Sequence, residues 1–484
     1  MKEKILNLIN LKWVWFCLAF LAILTALIPI VGSIVKGAID CDSAYYICIA
    51  QRIAEGYVPY KSIPLGYTPL YLYIMAGFKM VFNIPNGLYW PYMLLYSLFE
   101  IGVSYFVYSI AREFGAKKMV AWLGAWLYII MSHRFGGGDV LLEIPSLFFG
   151  LASSYFVLRF KGANVWNYLW IGCLTTCAFL CKQYGLGFIA LNLYLMIAVN
   201  RQSWQSYMLF LIGCAIPVLL CFAYWGCDFM PIVFSGYGTK NAVEAGLDVS
   251  FADGLKAVLS WLFSFCYAIC PAVFVGLLCF TKAYKCGHFW KLLFGFMGIL
   301  GFSLQFFFAE SRHYWLYMIP FACLVIAEML SMKNVKIIEI LKVVAVIWVV
   351  LLNSYKVYHN IVYKQYIKND IRKVQYDLTD EISEYVKPDE TMWIVHPGLN
   401  FLLLTADVLP PNISTIGYSF GILGLNEAEA FQQAKNADWV LRFLSDGSRL
   451  ESYFTDSVRS FVEQYPLVAQ FDDSTKLLYK VPKE

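Results

Sequence analysis

Block after block of about twenty apolar residues governs what this chain can fold into, beginning with WVWFCLAFLAILTALIPIVGSIV at 13–35. A helix of about 20 apolar residues is what crosses a hydrocarbon layer of about 30 Å. Blocks of that order recur near 89–111, 119–133, 141–158, 166–181, 185–200, 207–226, 256–280, 290–308, 314–331 and 337–354, which predicts eleven spans in all. Composition agrees, with 60% hydrophobic and 14% charged residues. A soluble domain is about half apolar and a quarter charged. The chain reads as a polytopic α-helical membrane protein. Its first block lacks a small-residue cleavage site and reads as a retained span, not a removable signal.

Charge placement orients the spans. With a cytoplasmic N-terminus, the inside segments carry Lys2, Lys4 and Lys12; Arg112, Lys117 and Lys118; Arg159 and Lys161; Arg201; Lys282, Lys285 and Lys291; and Lys333 and Lys336. Each is basic, as the positive-inside bias requires. The same assignment sends Asp40, Asp42, Asp139, Glu143, Lys182, Asp228, Glu310, Arg312 and His313 to the opposite face. The segment 69–84, PLYLYIMAGFKMVFNI, is apolar but short and carries Lys79. It reads as an interfacial or re-entrant helix within a large first outer loop, 36–88, and not as a crossing.

From about residue 376 the pattern changes. YDLTDEISEYV reads as an amphipathic helix and TMWIV as a short buried strand; ADWVLRFL and TKLLYKV are further strands, and EAEAFQQAKN is helical. This predicts a small α/β domain over 376–484, following a membrane domain over 1–355 and lying outside the cell membrane. Fourteen cysteines, none beyond Cys323, argue against a disulfide framework in that domain. Cys173, Cys177 and Cys181 share one helix face and read as small-residue packing.

The stretch DSAYYICIAQRIAEGYVPY opens at Asp42, shortly after the first span. Tyr46, Ile49, Ala50 and Ile53 make one helical stripe, which predicts an amphipathic helix along the outer surface. A carboxylate at its N-terminal end suits the helix dipole. On the residues alone, an N-cap role for Asp42 stands beside a chemical one.

DSAYYICIAQRIAEGYVPY followed by YTPLYLYIMAGF resembles the first outer loop of the GT-C superfamily of polytopic glycosyltransferases. The protein mannosyltransferase-like and lipid A aminoarabinose transferase-like branch is the nearest group. GGGDVLLEIPSLFFGLASSYFVLR is similar to that family's second acidic site. FLCKQYGLGF resembles its Lys-containing junction, and ESRHYWLYMIPFACLV its aromatic motif leading into a Pro-containing span. The matches run in the family's order across 36–330. Where many relatives carry an acid after Pro-Tyr, this chain has Lys61 and Ser62.

The resemblance implies a membrane glycosyltransferase (hexosyl or pentosyl) that takes a sugar from a polyprenyl-phosphate donor. The acceptor is an extracytoplasmic hydroxyl on a glycolipid, a cell-envelope polysaccharide or a protein. It implies single-displacement inversion with Asp42 as the base, and Glu143 or Asp139 as a second acid that orients the acceptor. Arg312, His313 and Lys182 would hold the lipid phosphate, where charge grows as the bond breaks. Tyr45, Tyr46, Tyr67 and Tyr314 would stack on sugar rings, though an aromatic belt explains such residues equally. No cluster has metal-ligand spacing and no Gly-rich phosphate loop is present, so neither metal, cofactor nor nucleic acid is expected. The expected setting is a bacterial cell membrane. A transporter or lipid flippase, or a glycosyltransferase-like assembly subunit without activity, is the alternative; transporters usually carry ionisable groups mid-span in two related halves.

Overall fold

The computed structural model describes residues 20, 39–61, 65–161, 164–200, 202–226, 229, 251–307, 312–333, 335–359, 370–388, 390–394, 399–406, 408, 427–444, 456–471 and 475–483. The expected first span at 13–35 lies almost wholly outside them. In chain order the helices are α1 (Cys41–Ala54), α2 (Leu70–Phe82), α3 (Trp90–Glu113), α4 (Lys118–Arg134), α5 (Glu143–Arg159), α6 (Asn167–Cys181), α7 (Gly187–Tyr194), α8 (Trp204–Trp225), α9 (Phe251–Leu278), α10 (Phe280–Lys285), α11 (Phe289–Ser303), α12 (Ile319–Ser331), α13 (Lys336–Val357), α14 (Asp370–Ser383), α15 (Leu402–Thr405), α16 (Glu427–Asn436) and α17 (Asp456–Val462). A helix thus occupies each expected span from residue 89 onward. Among the described residues, five helical stretches are long and apolar enough to cross a membrane: Trp90–Glu113, Trp204–Trp225, Phe289–Phe306, His313–Ser331 and Lys336–Val357. The chain is a multi-pass membrane protein. At 13 residues α2 is about 20 Å long, too short to cross.

The chain divides into two compact units. One comprises Met1–Gly32, Met93–Leu219 and Asp253–Tyr363; the other comprises Ser33–Tyr92, Leu220–Ala252 and Lys364–Glu484. The first loop and the C-terminal segment therefore belong to the same unit.

In the first unit, polar side chains bind apolar helices to one another. Asn192 on α7 accepts from Ser154 at 2.6 Å and donates to Ser153 at 2.8 Å and Thr175 at 2.9 Å, joining α5, α6 and α7. In lipid the hydrophobic effect between helices is weak, so such bonds and close backbone approach do the holding. Gly172 on α6 and Gly213 on α8 supply that approach. A Cβ on Gly172 would stand 2.1 Å from the Phe210 carbonyl oxygen, and one on Gly213 would stand 2.0 Å from that of Leu169. Thr176 donates to the Cys214 carbonyl at 2.8 Å across the same seam. Cys173 and Cys181 are free thiols.

At one end of the helices Arg159 lies 3.6 Å from Glu113, and Lys291 donates to the Phe114 carbonyl at 2.5 Å. His288 meets Glu328 at 2.6 Å there. Asp139, Glu143, Lys182 and His313 belong to the opposite helix ends.

In the second unit α1 departs from the expected surface helix. Ser43 through Gln51 and Ile53 are all buried. α2 packs against α1, and α15 meets it as well. The Gln375 side chain on α14 closes two bonds of 2.9 Å with the backbone of Ile39, accepting from its N–H and donating to its C=O. Further on, strands β1 (Met392–Ile394), β2 (Trp439–Phe443), β3 (Leu467–Phe471) and β4 (Lys476–Lys480) form one sheet in the order β1-β2-β4-β3. β1 and β2 are parallel, whereas β2–β4 and β4–β3 are antiparallel. Trp393, Val440 and Tyr479 of the sheet pack with Ala434, Val458 and Val462 of α16 and α17. β3, LVAQF, was not expected: only its last residue is buried, so its pattern carries no alternation.

Asp438 anchors the start of β2. Burial raises its carboxyl pKa, but Lys483 at 2.6 Å and the Thr391 N–H and hydroxyl outweigh this and bring it down to about 2. A lowered carboxyl stabilises the fold above its unfolded value of 3.8, and the contribution disappears as pH falls through about 2. Acid titration of the sheet's near-ultraviolet signal should therefore show a loss between those values that Asp438→Asn abolishes. In the helical unit, Gly213→Ala should drive α6 and α8 apart at a cost of about 1–3 kcal/mol. Its thermal midpoint in detergent should drop clearly, whereas Gly77→Ala, with nothing within 4 Å, should leave it unchanged.

Candidate functional site

Two constellations hold the residues singled out in the sequence, one in each unit. In the first-loop unit the cap of α1 is Asp40, not Asp42. The Asp40 side chain accepts from the Asp42 N–H at 2.9 Å and the Ser43 N–H at 3.3 Å. The backbone explains this correction: Asp40 is extended at φ −68° and ψ 144°, as a cap must be, while Asp42 is already inside the first turn. Asp42 is half-buried, and among the described residues no hydrogen bond or ion pair engages its carboxylate. It stands in the first turn, where the dipole favours an anion.

Three tyrosines fill the space behind it. Tyr45, Tyr46 and Tyr67 are buried and meet edge to face, with ring centroids 5.5, 6.1 and 5.5 Å apart. Burial, and then the charge of Asp42, hold the Tyr45 phenol above its usual range. It remains a protonated donor at any physiological pH. Tyr60 donates to the Tyr67 carbonyl at 2.5 Å from a left-handed backbone, φ 65°. That conformation is costly for a residue with a side chain. It turns the chain sharply after Pro59 and seats the Tyr60 ring against Trp225 and Phe229 at 5.4 and 5.3 Å.

In the helical unit the α5 N-terminus, the α6–α7 junction and the turn before α12 come together. Glu143, the first residue of α5, is fully buried. Its Oε1 lies 2.5 Å from Lys182 Nζ and 3.5 Å from His313 Nε2. Lys182 follows the last residue of α6 in an extended conformation, φ −155°, which ends the helix and turns the ammonium inward. That ammonium stands 5.1 Å from the Tyr314 ring centroid, and Tyr184 and His313 pack edge-on against the same ring at 5.2 and 4.6 Å. The second carboxylate oxygen, Glu143 Oε2, is buried with no hydrogen-bond partner among the described residues. Asp139 reaches the cluster through the turn before α5. A Cβ on Gly136, φ 97°, would stand 3.5 Å from His313 Cβ and 3.8 Å from Asp139 Oδ2. Asp139, Glu143, Lys182, His313 and Tyr314, read from three separate motifs, thus share one neighbourhood. Arg312 opens the tight helical segment Arg312–Tyr317, and its side chain lies outside the described residues.

Sequence reasoning passed over Glu100 and His133. They form a fully enclosed pair, His133 Nε2 to Glu100 Oε2 at 2.9 Å. The available signal was a lone acid within the apolar block 89–111. Among the described residues, no three His, Cys, Asp or Glu side chains are grouped to hold a metal ion.

No protein-family model matches the chain, and no curated protein sequence matches it. Solved structures do. ArnT from Cupriavidus metallidurans in its apo state is similar over 95% of this chain and 97% of its own, with a TM-score of 0.54 and 14% identity. The Archaeoglobus fulgidus oligosaccharyltransferase covers 87% of this chain and 67% of its own, at a TM-score of 0.44 and 14% identity. The protein O-mannosyltransferase Pmt1–Pmt2 complex of S. cerevisiae covers 50% and 38%, at 0.35 and 18%. The likeness to ArnT, at that identity, is one of fold alone.

A buried pair loses most when one partner is removed, about 3–5 kcal/mol, because the survivor is left as an unmatched charge. Lys182→Met and Glu143→Gln should each lower the thermal midpoint strongly. The double variant should recover part of the loss, a non-additivity that thermal unfolding of the four purified proteins measures directly.

Proposed function

We propose that this chain is a membrane glycosyltransferase that moves a sugar from a polyprenyl-phosphate donor to an extracytoplasmic acceptor hydroxyl. The hydroxyl belongs to a glycolipid, an envelope polysaccharide or a protein. The observation that carries the reading is the division of labour at α1: Asp40 satisfies the helix terminus, so the Asp42 carboxylate is left for chemistry. The likeness of fold to ArnT supports it. So does the predicted arrangement of eleven spans with a C-terminal α/β domain on the same side as the first loop.

In this reading Asp42 takes the proton of the acceptor hydroxyl while its oxygen attacks the anomeric carbon. The bond from that carbon to the phosphate oxygen breaks, and its electron pair leaves with the phosphate. One displacement inverts the anomeric configuration. Positive charge developing on the ring is favoured by the nearby carboxylate. Arg312 and His313 receive the departing phosphate, whose charge grows in the transition state. Lys182 contributes to the same field. Glu143 Oε2, buried without a donor, is the acceptor atom that orients an incoming hydroxyl, and Asp139 supports it. Tyr45, Tyr46, Tyr67 and Tyr314 supply apolar ring edges suited to a sugar face. Neither metal nor nucleotide enters the scheme.

Two neighbouring substitutions separate this reading from transport and from an inactive subunit. Asp42→Asn should reduce transfer from a lipid-linked donor in proteoliposomes by about 10²–10⁴-fold, the usual worth of a general base, without changing folding. Asp40→Asn keeps a good capping group and should retain transfer. Equal activity in both variants removes Asp42 from the mechanism. Mass spectrometry of co-purifying lipid should reveal a polyprenyl-phosphate sugar.

A further inference from the structure

Glu100 sits about 15 Å along α3 from Trp90, enclosed on every side. An ionisable group in such a place is costly and seldom idle. Both of its oxygens are engaged by consecutive residues at the end of α4. Ser132 donates to Oε1, and His133 Nε2 lies 2.9 Å from Oε2. Ser132 and His133 are themselves buried, and His133 Nδ1 has no partner among the described residues.

The turn beyond Ser132 gives the pair its meaning. The Ser132 carbonyl accepts from the Phe135 N–H at 2.9 Å and the Gly137 N–H at 2.8 Å, and Asp139 N–H closes onto the Gly136 carbonyl at 3.1 Å. Gly137 lies so close over this hub that an added Cβ would come within 2.7 Å of the Ser132 carbonyl carbon. Gly136, at φ 97°, brings the turn against His313 and Asp139. Arg134 is tied to Asn353 on α13 by a bond of 2.8 Å, and the Phe135 ring meets Trp315 edge-on at 4.5 Å. Two backbone N–H groups of the turn, those of Phe135 and Gly137, thus end on one carbonyl, and the side chain of the residue that owns it is bonded to Glu100.

We infer that Glu100 is a positioning residue for the Glu143 cluster: by clamping Ser132 and His133 it fixes the turn Phe135–Asp139 and so places Asp139 beside His313. Glu100 touches no reacting atom. The part of Asp139 as a site acid rests on the proposed glycosyl transfer, but the clamp itself does not.

Hydrogen exchange on the full-length protein in detergent reads the turn without reference to activity. Glu100→Leu should raise exchange at 135–139 by about tenfold or more, as expected when a local unit opens, while peptides around Ser153 and Asn192 stay as protected as before. Glu100→Gln keeps an oxygen for the Ser132 hydroxyl and a polar partner for His133, and should restore protection. Unchanged exchange at 135–139 in Glu100→Leu, or loosening shared equally by the Ser153 and Asn192 peptides, overturns the inference. Should Glu100→Leu not fold, His133→Leu removes one of the two clamps and must still loosen 135–139; no change there is equally fatal. Kinetics give the second readout. In Glu100→Leu, kcat should fall with KM little altered, and Asp139→Asn added to it should cost no more. Additive losses overturn the inference. If the unaltered protein transfers no sugar, the proposed function fails while the exchange result still decides the clamp.

Discussion

The contact on which the helical unit's polar end depends is a carboxylate and an ammonium 2.5 Å apart with almost no access to solvent. Glu143 begins α5 and Lys182 ends α6, so the pair closes two neighbouring helices at the same level. Each charge alone would be intolerable in that setting; together they form a strong dipole that the surrounding apolar helices cannot screen. His313 and Tyr314 are drawn to it, one by the carboxylate and the other by the ammonium facing its ring. A polar pocket in a greasy bundle is stable because its charges are matched. One carboxylate oxygen, Glu143 Oε2, is left over, with no hydrogen-bond partner among the described residues.

Two carboxylates in the first loop divide their work differently. Asp40 is occupied by backbone N–H groups, whereas Asp42, one residue into the helix, keeps its oxygens open. Sequence alone left both roles open, because either acid could cap. The backbone angle of Asp40 decides between them, and no composition or spacing rule contains that angle. The same holds for α1 as a whole. Its stripe of Tyr46, Ile49, Ala50 and Ile53 was visible, but of the helices that pack against α1, α2 lies next along the chain and α15 comes from its far end.

Where the sequence was informative, the signal was strong and local. Apolar blocks mark the positions of the described helices from residue 89 onward. TMWIV, ADWVLRFL and TKLLYKV mark β1, β2 and β4, each through a buried hydrophobic run. β3 escaped notice because LVAQF at a sheet edge is half exposed and shows no alternation. Asp139, Glu143, Lys182 and His313 were legible as charges at the ends of apolar blocks, one at a time. Their meeting depends on how α5, α6 and the turn before α12 pack, which a single sequence does not contain. Glu100 stood in plain view as an acid inside an apolar block, but its partners Ser132 and His133 lie on another helix. The first span and the Arg312 side chain fall outside the described residues, so those expectations remain as the sequence states them.

The bracket between Gln375 and Ile39 joins positions 336 residues apart. A ribosome adding about 5–20 residues per second takes roughly 20–70 s to make that stretch. For that interval the nascent polypeptide already displays Asp42 but lacks the Gln375 side chain that bonds the backbone just ahead of it. Maturation of the first loop therefore waits on the last quarter of synthesis, and a chain stopped short of α14 is released with its acidic helix unlatched.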